Sequence, residues 1–401
     1  MARKRLLFVT DVTPLPLNSG QRVRVRHLVA ACRRVADVTL VAPPPDDPAD
    51  RRQIETECAR VVWVGDAPLA RGWRGAKLTA ATAATMAGLP FPSSVARYRR
   101  FVDAIGRADP ADADLIWAER PHIAKLCSAY ASKTIVDLDD LDHVKHARQR
   151  DALTGWRAKA KAAYRVAYYR RLEISWARGL FASVVCSQED RAYLARHGCA
   201  NAICVPNGAE LPTQARARAR SGAIPLRIVF LGNMGYAPNA DGLAFFVERI
   251  LPPLLKAAPD ATCDVIGPNA DESVRARFGQ SVNFRGFADD LGAALADYDS
   301  MAVPLRVGGG TKLKVLDAMA CALPVVTTSI GAEGLGLTHG ANAWIADTPE
   351  AFVEGLLALK RDPEFAARMA TDARAHVVAR FSWPAIEERL AQWLDEAKAP
   401  N

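Results

Sequence analysis

Short apolar runs alternate with longer segments of helical periodicity along almost the whole chain of 401 residues. Runs such as RLLFVT at 5–10 and TIVDLD at 134–139 have the length and the β-branched content of buried strands. The segments between the runs are long enough for helices, for example QRVRVRHLVAACRRV at 21–35. This alternation predicts βαβ units and parallel sheets. The predicted strands are 5–10, 37–43, 60–65, 114–119, 134–139, 182–187 and 202–206, then 226–232, 262–267, 282–286, 299–304, 323–328 and 341–346.

The alternation stops after residue 207 and starts again at 225. The segment between is polar, contains proline and has no apolar periodicity, which predicts a linker at 208–224. We therefore predict an N-terminal domain at 1–207 and a C-terminal domain at 225–380, in agreement with a chain too long for one core. Residues 381–401 form a predicted C-terminal helix that packs back on the N-terminal domain. The predicted fold class is α/β, with two doubly wound Rossmann-like domains that face each other across a cleft.

Charge and cysteine content narrow the class of protein. A net charge of +8 and a pI near 9.1 favour anionic partners. The basic residues are scattered and no nucleic-acid reader motif is present, so we expect no nucleic-acid partner. The eight cysteines form no CxxC pair and most lie in strand-like runs, which predicts buried free thiols and a cytoplasmic protein. The first apolar run ends at Asp11, and nowhere are 18 apolar residues consecutive, so we expect no signal peptide and no transmembrane helix.

The segment RVGGGTKLKVLDAMA at 306–320 predicts a turn between a strand and a helix. Glycines allow the backbone to approach a ligand closely, and the free N–H groups at a helix start favour an anion. With Thr311 as N-cap, Lys314 and Asp317 share one face of the helix. A cation near phosphate and a carboxylate near hydroxyls are typical of a nucleotide site. The alternative is a solvated glycine turn in which Lys314 and Asp317 form a surface ion pair.

The C-terminal half resembles the corresponding domain of GT-B glycosyltransferases, in particular the retaining family 4-like (group 1) enzymes of the exopolysaccharide type. The matching residues are LGNMGYAPNADGLAFFVERILP at 231–252 and PLRVGGGTKLKVLDAMACALPVVTTSIGAEGL at 304–335. The resemblance implies that the first loop binds the donor nucleotide, that the second loop binds the diphosphate and that Asp317 binds the ribose. The implied donor-binding residues here are Gly232, Asn233, Arg306, Gly308, Gly309, Gly310, Thr311, Lys312, Lys314 and Asp317.

This chain departs from the family pattern at two places. Gly309 stands where many members have the first of two glutamates, and Pro238 and Asn239 stand where others have a basic pair. The positive charge that neutralises the donor phosphates is therefore expected to come from Arg306, Lys312 and Lys314.

The N-terminal half resembles the same subgroup at two segments. In DVTPLPLNSGQRVRVRH at 11–27, Gly20 and Arg24 are implied donor-binding residues and His27 is an implied catalytic residue. In IVDLDDLDHVK at 135–145 the matches are Asp137, Asp140, Asp142 and Lys145. His27, Asp140 and Asp142 are expected to orient the acceptor or to stabilise the positive sugar.

The resemblance implies a glycosyltransferase that moves a hexose from a nucleoside diphosphate sugar to a glycan, lipid-linked or small-molecule acceptor. We expect UDP or GDP as the nucleotide, retention of configuration, and no cofactor or metal. One alternative is a nucleotide-sugar-binding or glycan-binding protein without catalysis, and another is a GT-B-type epimerase. A third is a GT-A enzyme whose metal binds the D-x-D sequences at 137–139 and 140–142.

Residues 145–178 contain ten Lys or Arg and two acidic residues, with five Trp or Tyr among them. Tyr164, Tyr168 and Leu172 recur every four residues, which gives one helical face an aromatic stripe. One interpretation is that the stripe packs on the sheet and the charges are solvated. The other is peripheral binding to the anionic inner membrane, where a lipid-linked acceptor would be found.

Overall fold

The computed structural model describes residues 3–17, 19–65, 95–151, 153, 155–212, 225–288, 290–308 and 311–398. Most of the predicted linker, at 213–224, lies outside the described residues, as do Gly309 and Gly310 of the glycine loop. The chain divides into two compact units. The first comprises Met1–Val205 with Ile386–Asn401, and the second comprises Pro206–Ala385.

The first unit contains a parallel sheet of seven strands. The strands are β1 (Lys4–Val9), β2 (Ala36–Ala42), β3 (Arg60–Trp63), β4 (Leu115–Glu119), β5 (Thr134–Asp139), β6 (Ala182–Val185) and β7 (Ala202–Cys204). Their order is β3-β2-β1-β4-β5-β6-β7. The helices are α1 (Gly20–Val35), α2 (Pro48–Glu57), α3 (Val95–Arg107), α4 (Pro121–Leu126), α5 (Asp142–Asp151), α6 (Trp156–Arg170) and α7 (Gln188–Arg196). Short 3₁₀ turns lie at Pro110–Asp112, Ser128–Lys133 and Ala177–Gly179, and a π-helical turn lies at Arg171–Trp176.

The second unit contains a parallel sheet of six strands. They are β8 (Arg227–Leu231), β9 (Thr262–Ile266), β10 (Asn283–Gly286), β11 (Ser300–Val303), β12 (Val325–Thr327) and β13 (Trp344–Ile345), in the order β10-β9-β8-β11-β12-β13. The helices are α8 (Ala237–Phe245), continued by a π-helical turn at Phe246–Ile250, α9 (Leu251–Ala257), α10 (Glu272–Phe278), α11 (Leu291–Leu295), α12 (Leu313–Ala320), α13 (Ser329–Ala332), α14 (Pro349–Arg361) and α15 (Pro363–Arg380). The last helix, α16 (Trp383–Glu396), begins in this unit and ends in the first.

Each predicted strand is present, so the prediction of an α/β fold with parallel sheets is confirmed. The strand cores are apolar on both faces because helices cover both sides of each sheet. Leu7, Ile116 and Val136 lie in the core of the first unit, and Ile228 and Val265 lie in that of the second. All eight cysteines are free and seven are buried, as predicted.

Helix ends follow local chemistry. The Ser19 hydroxyl accepts the backbone N–H of Arg22 at the start of α1, and Thr348 caps α14 in the same way ahead of Pro349. In the last helix, α16, the backbone carbonyls of Leu394 and Asp395 accept from the Lys4 ammonium at the start of β1. These bonds fix the end of α16 to the first unit.

The aromatic stripe of α6 is only partly inside the protein. Leu172 is buried and Tyr168 is partly buried, but Tyr164 is 61% exposed. The interpretation in which the whole stripe packs on the sheet is therefore wrong at Tyr164. Leu172 lies in the π-helical turn after α6, and burial along the stripe decreases from Leu172 through Tyr168 to Tyr164. None of the helices in the described parts of the chain combines the length and apolarity that a membrane crossing requires.

Candidate functional site

Both sheets reverse their strand order beside the first strand, between β1 and β4 and between β8 and β11. Ligands of open α/β sheets bind at the carboxyl ends of the strands at this switch point. In the second unit, β8 leads into the loop 232–236 and helix α8. β11 leads into Pro304–Gly308 and then to helix α12. The predicted donor-binding segments therefore meet at the switch point.

Helix α12 begins later than the sequence predicts. Its cap position is Lys312, whose side chain makes no capping bond, and the first helical residue is Leu313. The backbone amide of Leu313 donates to the Thr311 carbonyl (3.0 Å) in a tighter turn. The prediction of Thr311 as N-cap is therefore wrong. Without a side-chain cap, the amide groups of the first turn are suited to an external anion.

Lys314 has the most unusual environment among the predicted cations. Its Nζ donates to Asn239 Oδ1 (2.5 Å) and lies 5.3 Å from the centre of the Phe230 ring. Burial lowers the pKa of the Lys314 ammonium to about 7. Within the described residues no carboxylate forms an ion pair with it, so the surface ion pair of Lys314 with Asp317 is not observed.

The Lys314 site depends on a glycine at the end of β8. A Cβ atom at Gly232 would lie 2.8 Å from the Asn239 amide and 3.2 Å from Lys314 Nζ. Asn239 Nδ2 donates to the Asn233 carbonyl (2.9 Å), which turns the amide oxygen toward Lys314. Asn233 itself accepts at Oδ1 from the Gly235 amide (2.9 Å) and from Asn269 (3.0 Å), so its side chain holds the loop in shape.

The other two predicted cations already have carboxylate partners. The exposed Arg306 donates from Nε to Asp241 Oδ2 (3.1 Å), with its guanidinium 4.9 Å from the Phe245 ring centre. Lys312 is buried, and its Nζ lies 3.4 Å from Glu333 Oε2. Lys314 is therefore the best candidate of the three to meet an external anion.

Two further residues of the predicted loop and helix have structural support. Gly308 has φ of +145°, a conformation that favours glycine, and lies beside Pro238 at the start of α8. Asp317 is partly buried, and burial, with a further contribution from the charge of Glu210, raises the pKa of its carboxyl to about 7. Within the described part of the chain no donor is hydrogen-bonded to that carboxyl. It has acceptor capacity for ligand hydroxyls.

Comparison with known proteins agrees with this geometry. Residues 225–362 match the family described as "Glycosyl transferases group 1". Residues 225–362 form a glycosyl transferases group 1 domain. This match contains Gly232, Asn233 and all the described predicted residues from Arg306 to Asp317.

One curated relative is the "GDP-mannose-dependent monoacylated alpha-(1-6)-phosphatidylinositol monomannoside mannosyltransferase" of Corynebacterium glutamicum, 31% identical over 159 residues. This match covers 36% of the chain and 42% of the relative, and the first matched relatives are spanned over less than half of their length.

Solved structures match over nearly the whole chain. Sucrose-phosphate synthase from Thermosynechococcus elongatus has a TM-score of 0.70 at 16% identity, covering 98% of this chain and 99% of that one. Anabaena HepE in complex with UDP-glucose has a TM-score of 0.60 at 15% identity, covering 98% and 100%. The chain has the GT-B fold of these proteins, which confirms the predicted fold class and excludes the GT-A alternative. Outside the group 1 domain this likeness concerns the fold alone.

In the first unit, the predicted donor-binding Arg24 is buried inside the fold. Its Nε and NH2 groups donate to the two carboxylate oxygens of Asp137 (3.0 and 2.9 Å), and NH1 donates to the Val205 carbonyl (3.1 Å). Burial alone would lower the pKa of Arg24, but the Asp137 and Asp139 carboxylates raise it overall. The helix α1 that carries Arg24 starts at Gly20, the other predicted donor-binding residue of this unit.

The predicted catalytic residues lie on different elements of this unit. His27 Nδ1 lies 2.7 Å from Glu387 Oε1 on α16. Asp142 is the first residue of α5, and its backbone amide donates to Glu173 Oε1 (2.8 Å). Asp140 Oδ1 accepts from the Cys186 thiol (2.9 Å), and burial, followed by the charge of Asp139, raises the pKa of Asp140 to about 6.

Asp139, Asp140 and Cys186 form the one group within the described residues whose ligand atoms are close enough to hold a metal, all within 4.8 Å. Burial and the nearby carboxylates raise the pKa of the Cys186 thiol well above its usual value. Asp139 lies 3.6 Å from Arg24 Nε and 3.5 Å from Arg120. Arg24 and Arg120 therefore compensate the negative charge of Asp139, and the protonated Cys186 thiol adds no charge to the cluster.

The sequence interpretation missed Glu119 and Arg120 at the end of β4. Glu119 is buried, and burial, together with the charge of Asp11, raises the pKa of its carboxyl to about 8 despite the adjacent Arg120. Arg120 and Asp139 have φ of +78° and +58°, so backbone strain occurs at the carboxyl ends of two neighbouring strands. The signal available was the sequence AER directly after an apolar strand, which places charge at the ligand edge of a parallel sheet.

Proposed function

We propose that the protein is a glycosyltransferase that moves a hexose from a nucleoside diphosphate sugar to a glycan, lipid-linked or small-molecule acceptor. The observation that carries this proposal is Lys314 at the switch point of a group 1 domain, a partly buried ammonium whose hydrogen-bond partner among the described residues is a neutral amide. The proposed donor nucleotide is UDP or GDP. HepE was solved with UDP-glucose, and the mannosyltransferase relative is named for GDP-mannose.

The proposed chemistry places the donor diphosphate against Lys314 and the first turn of α12. Negative charge builds on the diphosphate as the bond to the sugar breaks, and donors that are already oriented stabilise this charge without reorganisation. Asn239 accepts a hydrogen bond from the ammonium and Gly232 leaves room for it, so its position is set before the donor binds. Protein cations neutralise the diphosphate in this proposal, so the reaction needs no metal and no cofactor.

We further propose that Asp317 accepts hydrogen bonds from the ribose hydroxyls and that transfer retains the configuration of the sugar. In that mechanism the leaving phosphate takes the proton of the acceptor on the same face. The aspartates of the first unit and His27 then orient the acceptor or stabilise the positive sugar. The proposed pathway class is the synthesis of an exopolysaccharide.

A panel of ligands tests the donor class. Thermal unfolding is measured with UDP, GDP, ADP and dTDP, each with and without its sugar. A nucleotide at 100 times its Kd stabilises by about 2.7 kcal/mol. Labelled sugar then distinguishes the functions. Transfer to an acceptor supports the proposal, an isomerised free sugar indicates an epimerase, and binding without turnover indicates a binding protein. Removal of divalent ions with a chelator leaves activity unchanged if the reaction needs no metal.

Asp317→Ala is expected to weaken binding of the nucleotide sugar by about 1.5–3 kcal/mol, because a hydrogen bond to a charged group is lost. Calorimetric titration with the best nucleotide sugar of the panel measures the change. Glu354→Ala, at an exposed position on α14, is the matched control. An unchanged Kd in a folded Asp317→Ala variant would remove Asp317 from the donor site.

Affinity for the nucleotide sugar is expected to be greatest near pH 7. Lys314, with a pKa lowered to about 7, loses its charge above this pH. Asp317, with a pKa raised to about 7, loses its charge below it. On the acid limb and on the alkaline limb of this pH profile, affinity should fall about tenfold or more, since a charged hydrogen bond is lost on each side.

Single substitutions identify the limbs of this profile. Lys314→Arg should remove the alkaline limb because a guanidinium stays protonated, and Asp317→Asn should remove the acid limb. A nucleotide sugar is used as the ligand because its diphosphate does not titrate in this range. A flat profile between pH 6 and pH 8 (an interval of about one unit on each side of the expected pKa values) would contradict the assignment.

A further inference from the structure

Helix α6 has an exposure that is unusual for a helix in a folded unit. It packs against α5, yet none of its fifteen residues is buried, and the structure describes all fifteen. Trp156 is 76% exposed and Tyr164 is 61% exposed. Isolated exposed apolar residues are ordinary, but a Trp and a Tyr on one helix form a patch that the described parts of this chain leave exposed.

The outward side of α6 has an apolar centre with cations on both flanks. At 3.6 residues per turn, Trp156, Ala160, Ala163 and Ala167 fall within about 60° of one another, with Tyr164 at the edge of this strip. All five side chains are exposed. Arg157 and Lys161 follow one flank, and Lys159 and Arg170 follow the other. We call these nine residues the α6 face.

The cations of α6 have no acidic partners in the part of the chain that the structure describes. The helix has five Lys or Arg and no acidic residue. Within the described residues no carboxylate forms an ion pair with any of these five. The Arg157 guanidinium instead lies 5.3 Å from the centre of the Trp156 ring. Positive charge and an aromatic ring are thus presented together.

The base of the α5–α6 hairpin is fixed to the first unit. Directly after α6, Leu172 and Ile174 are buried, and Ile174 lies in the core of the unit. The buried Glu173 accepts the backbone amides of Asp142 (2.8 Å) and His143 (3.2 Å) at the start of α5. The buried end of the hairpin therefore holds α6 with its apolar strip facing outward.

We propose that the α6 face docks on an anionic membrane, with the helix lying in the plane of the headgroups. A helix about 22 Å long, with Trp and Ala on a central strip and Lys and Arg on its flanks, is complementary to that surface. The aromatic rings suit the headgroup boundary and the cations pair with anionic lipids. The cations alone would fit a nucleic acid or an acidic protein, but the exposed apolar strip between them favours the lipid surface.

Sedimentation of the full chain with vesicles tests this proposal. We compare vesicles of phosphatidylcholine alone with vesicles of equal phosphatidylcholine and phosphatidylglycerol, at low and high salt. Binding is expected on the anionic vesicles at low salt and should weaken at high salt. The combined change Arg157→Gln, Lys159→Gln and Lys161→Gln should weaken this binding on the order of 100-fold, since each cation contributes about fivefold. Trp156→Ala should weaken it about tenfold.

Two matched controls distinguish binding by the α6 face from nonspecific electrostatic or hydrophobic binding by other parts of the surface. The first removes three exposed cations from other helices, by Arg52→Gln, Arg196→Gln and Lys256→Gln. The second is Phe287→Ala, whose ring is 73% exposed. Both controls should bind vesicles as the unchanged protein does.

Three results would overturn the proposal. The first is that the protein does not bind anionic vesicles at low salt, and the second is that the control variants weaken binding as much as the α6 variants do. The third is that the protein binds a soluble polyanion but not vesicles, and that this binding requires the three cations but not Trp156. The experiment contains no nucleotide. Its outcome is therefore independent of the proposed glycosyltransferase activity. The membrane inference goes beyond that activity.

Discussion

Replacing Lys314 with methionine is expected to lower kcat for sugar transfer by about 10²–10³-fold and to stabilise the ligand-free protein. The loss of activity follows because the side chain is a donor already aimed at the charge that develops on the diphosphate. The gain in stability follows because the folded state disfavours the charged form of this lysine, whose pKa is lowered from 10.5 to about 7 by burial. Functional sites commonly reduce stability in this way.

The stabilisation by Lys314→Met should depend on pH with a definite sign. Below pH 7 the lysine is charged in both the folded and the unfolded chain, so the unmodified protein carries the full penalty. As the pH rises from about 7 toward 10.5, folding releases a proton and the penalty disappears. The difference in melting temperature between the variant and the unmodified protein should therefore be largest below pH 7 and shrink above it.

Thermal scans across this pH range and steady-state kinetics measure the two effects. Lys256→Met, at an exposed position on α9, is the control and should change neither. Lys314→Met leaves the Asn239 amide oxygen without its donor, which should offset part of the gain in stability. A ligand-free Lys314→Met protein that melts lower and transfers sugar normally would show that Lys314 has a structural role.

Asp137→Ala is expected to lower the free energy of unfolding of the first unit by about 3–5 kcal/mol. It would leave the guanidinium of Arg24, only 2% exposed, without the two bonds it makes to this carboxylate. Hydrogen exchange of the β1 and β5 amides in increasing urea measures the change in this unit alone. The exposed pair of Arg3 and Asp37 supplies the control, since Asp37→Ala should cost at most about 1 kcal/mol.

The paired change Arg24→Met and Asp137→Leu should restore most of this stability, because apolar residues of similar size can replace a buried ion pair. It also tests the prediction that Arg24 binds the donor. If the restored double variant binds the nucleotide sugar as the unmodified protein does, the role of Arg24 is to join α1 to β5. If donor binding is lost while stability is restored, the predicted role stands. A loss below about 1 kcal/mol for Asp137→Ala would contradict the structural account of the pair.

The strand and helix order of this protein could be predicted from its sequence. Buried parallel strands need apolar residues on both faces, so TIVDLD and RIVFL stand out in the chain without knowledge of their neighbours. The glycine loop before α12 could also be located, because consecutive glycines between a strand and a helix indicate a turn through their local backbone conformation alone. Helix starts were less predictable. Thr311 is a good N-cap residue, yet the chain turns more tightly there and starts α12 at Leu313.

Only the tertiary structure decided which charges have partners. Arg24 and Asp137 are 113 residues apart in the chain, and Lys314 and Asn239 are 75 apart, so no local period relates them. The strand order brings β1 beside β4 and β8 beside β11, and this order places the side chains at the strand ends together. Arg306, Lys312 and Lys314 look equivalent in the sequence, but Asp241 and Glu333 bind the first two. Likewise, a stripe of Tyr164, Tyr168 and Leu172 predicts one face of a helix, but only the packing around each residue determines that Leu172 is buried and Tyr164 is exposed.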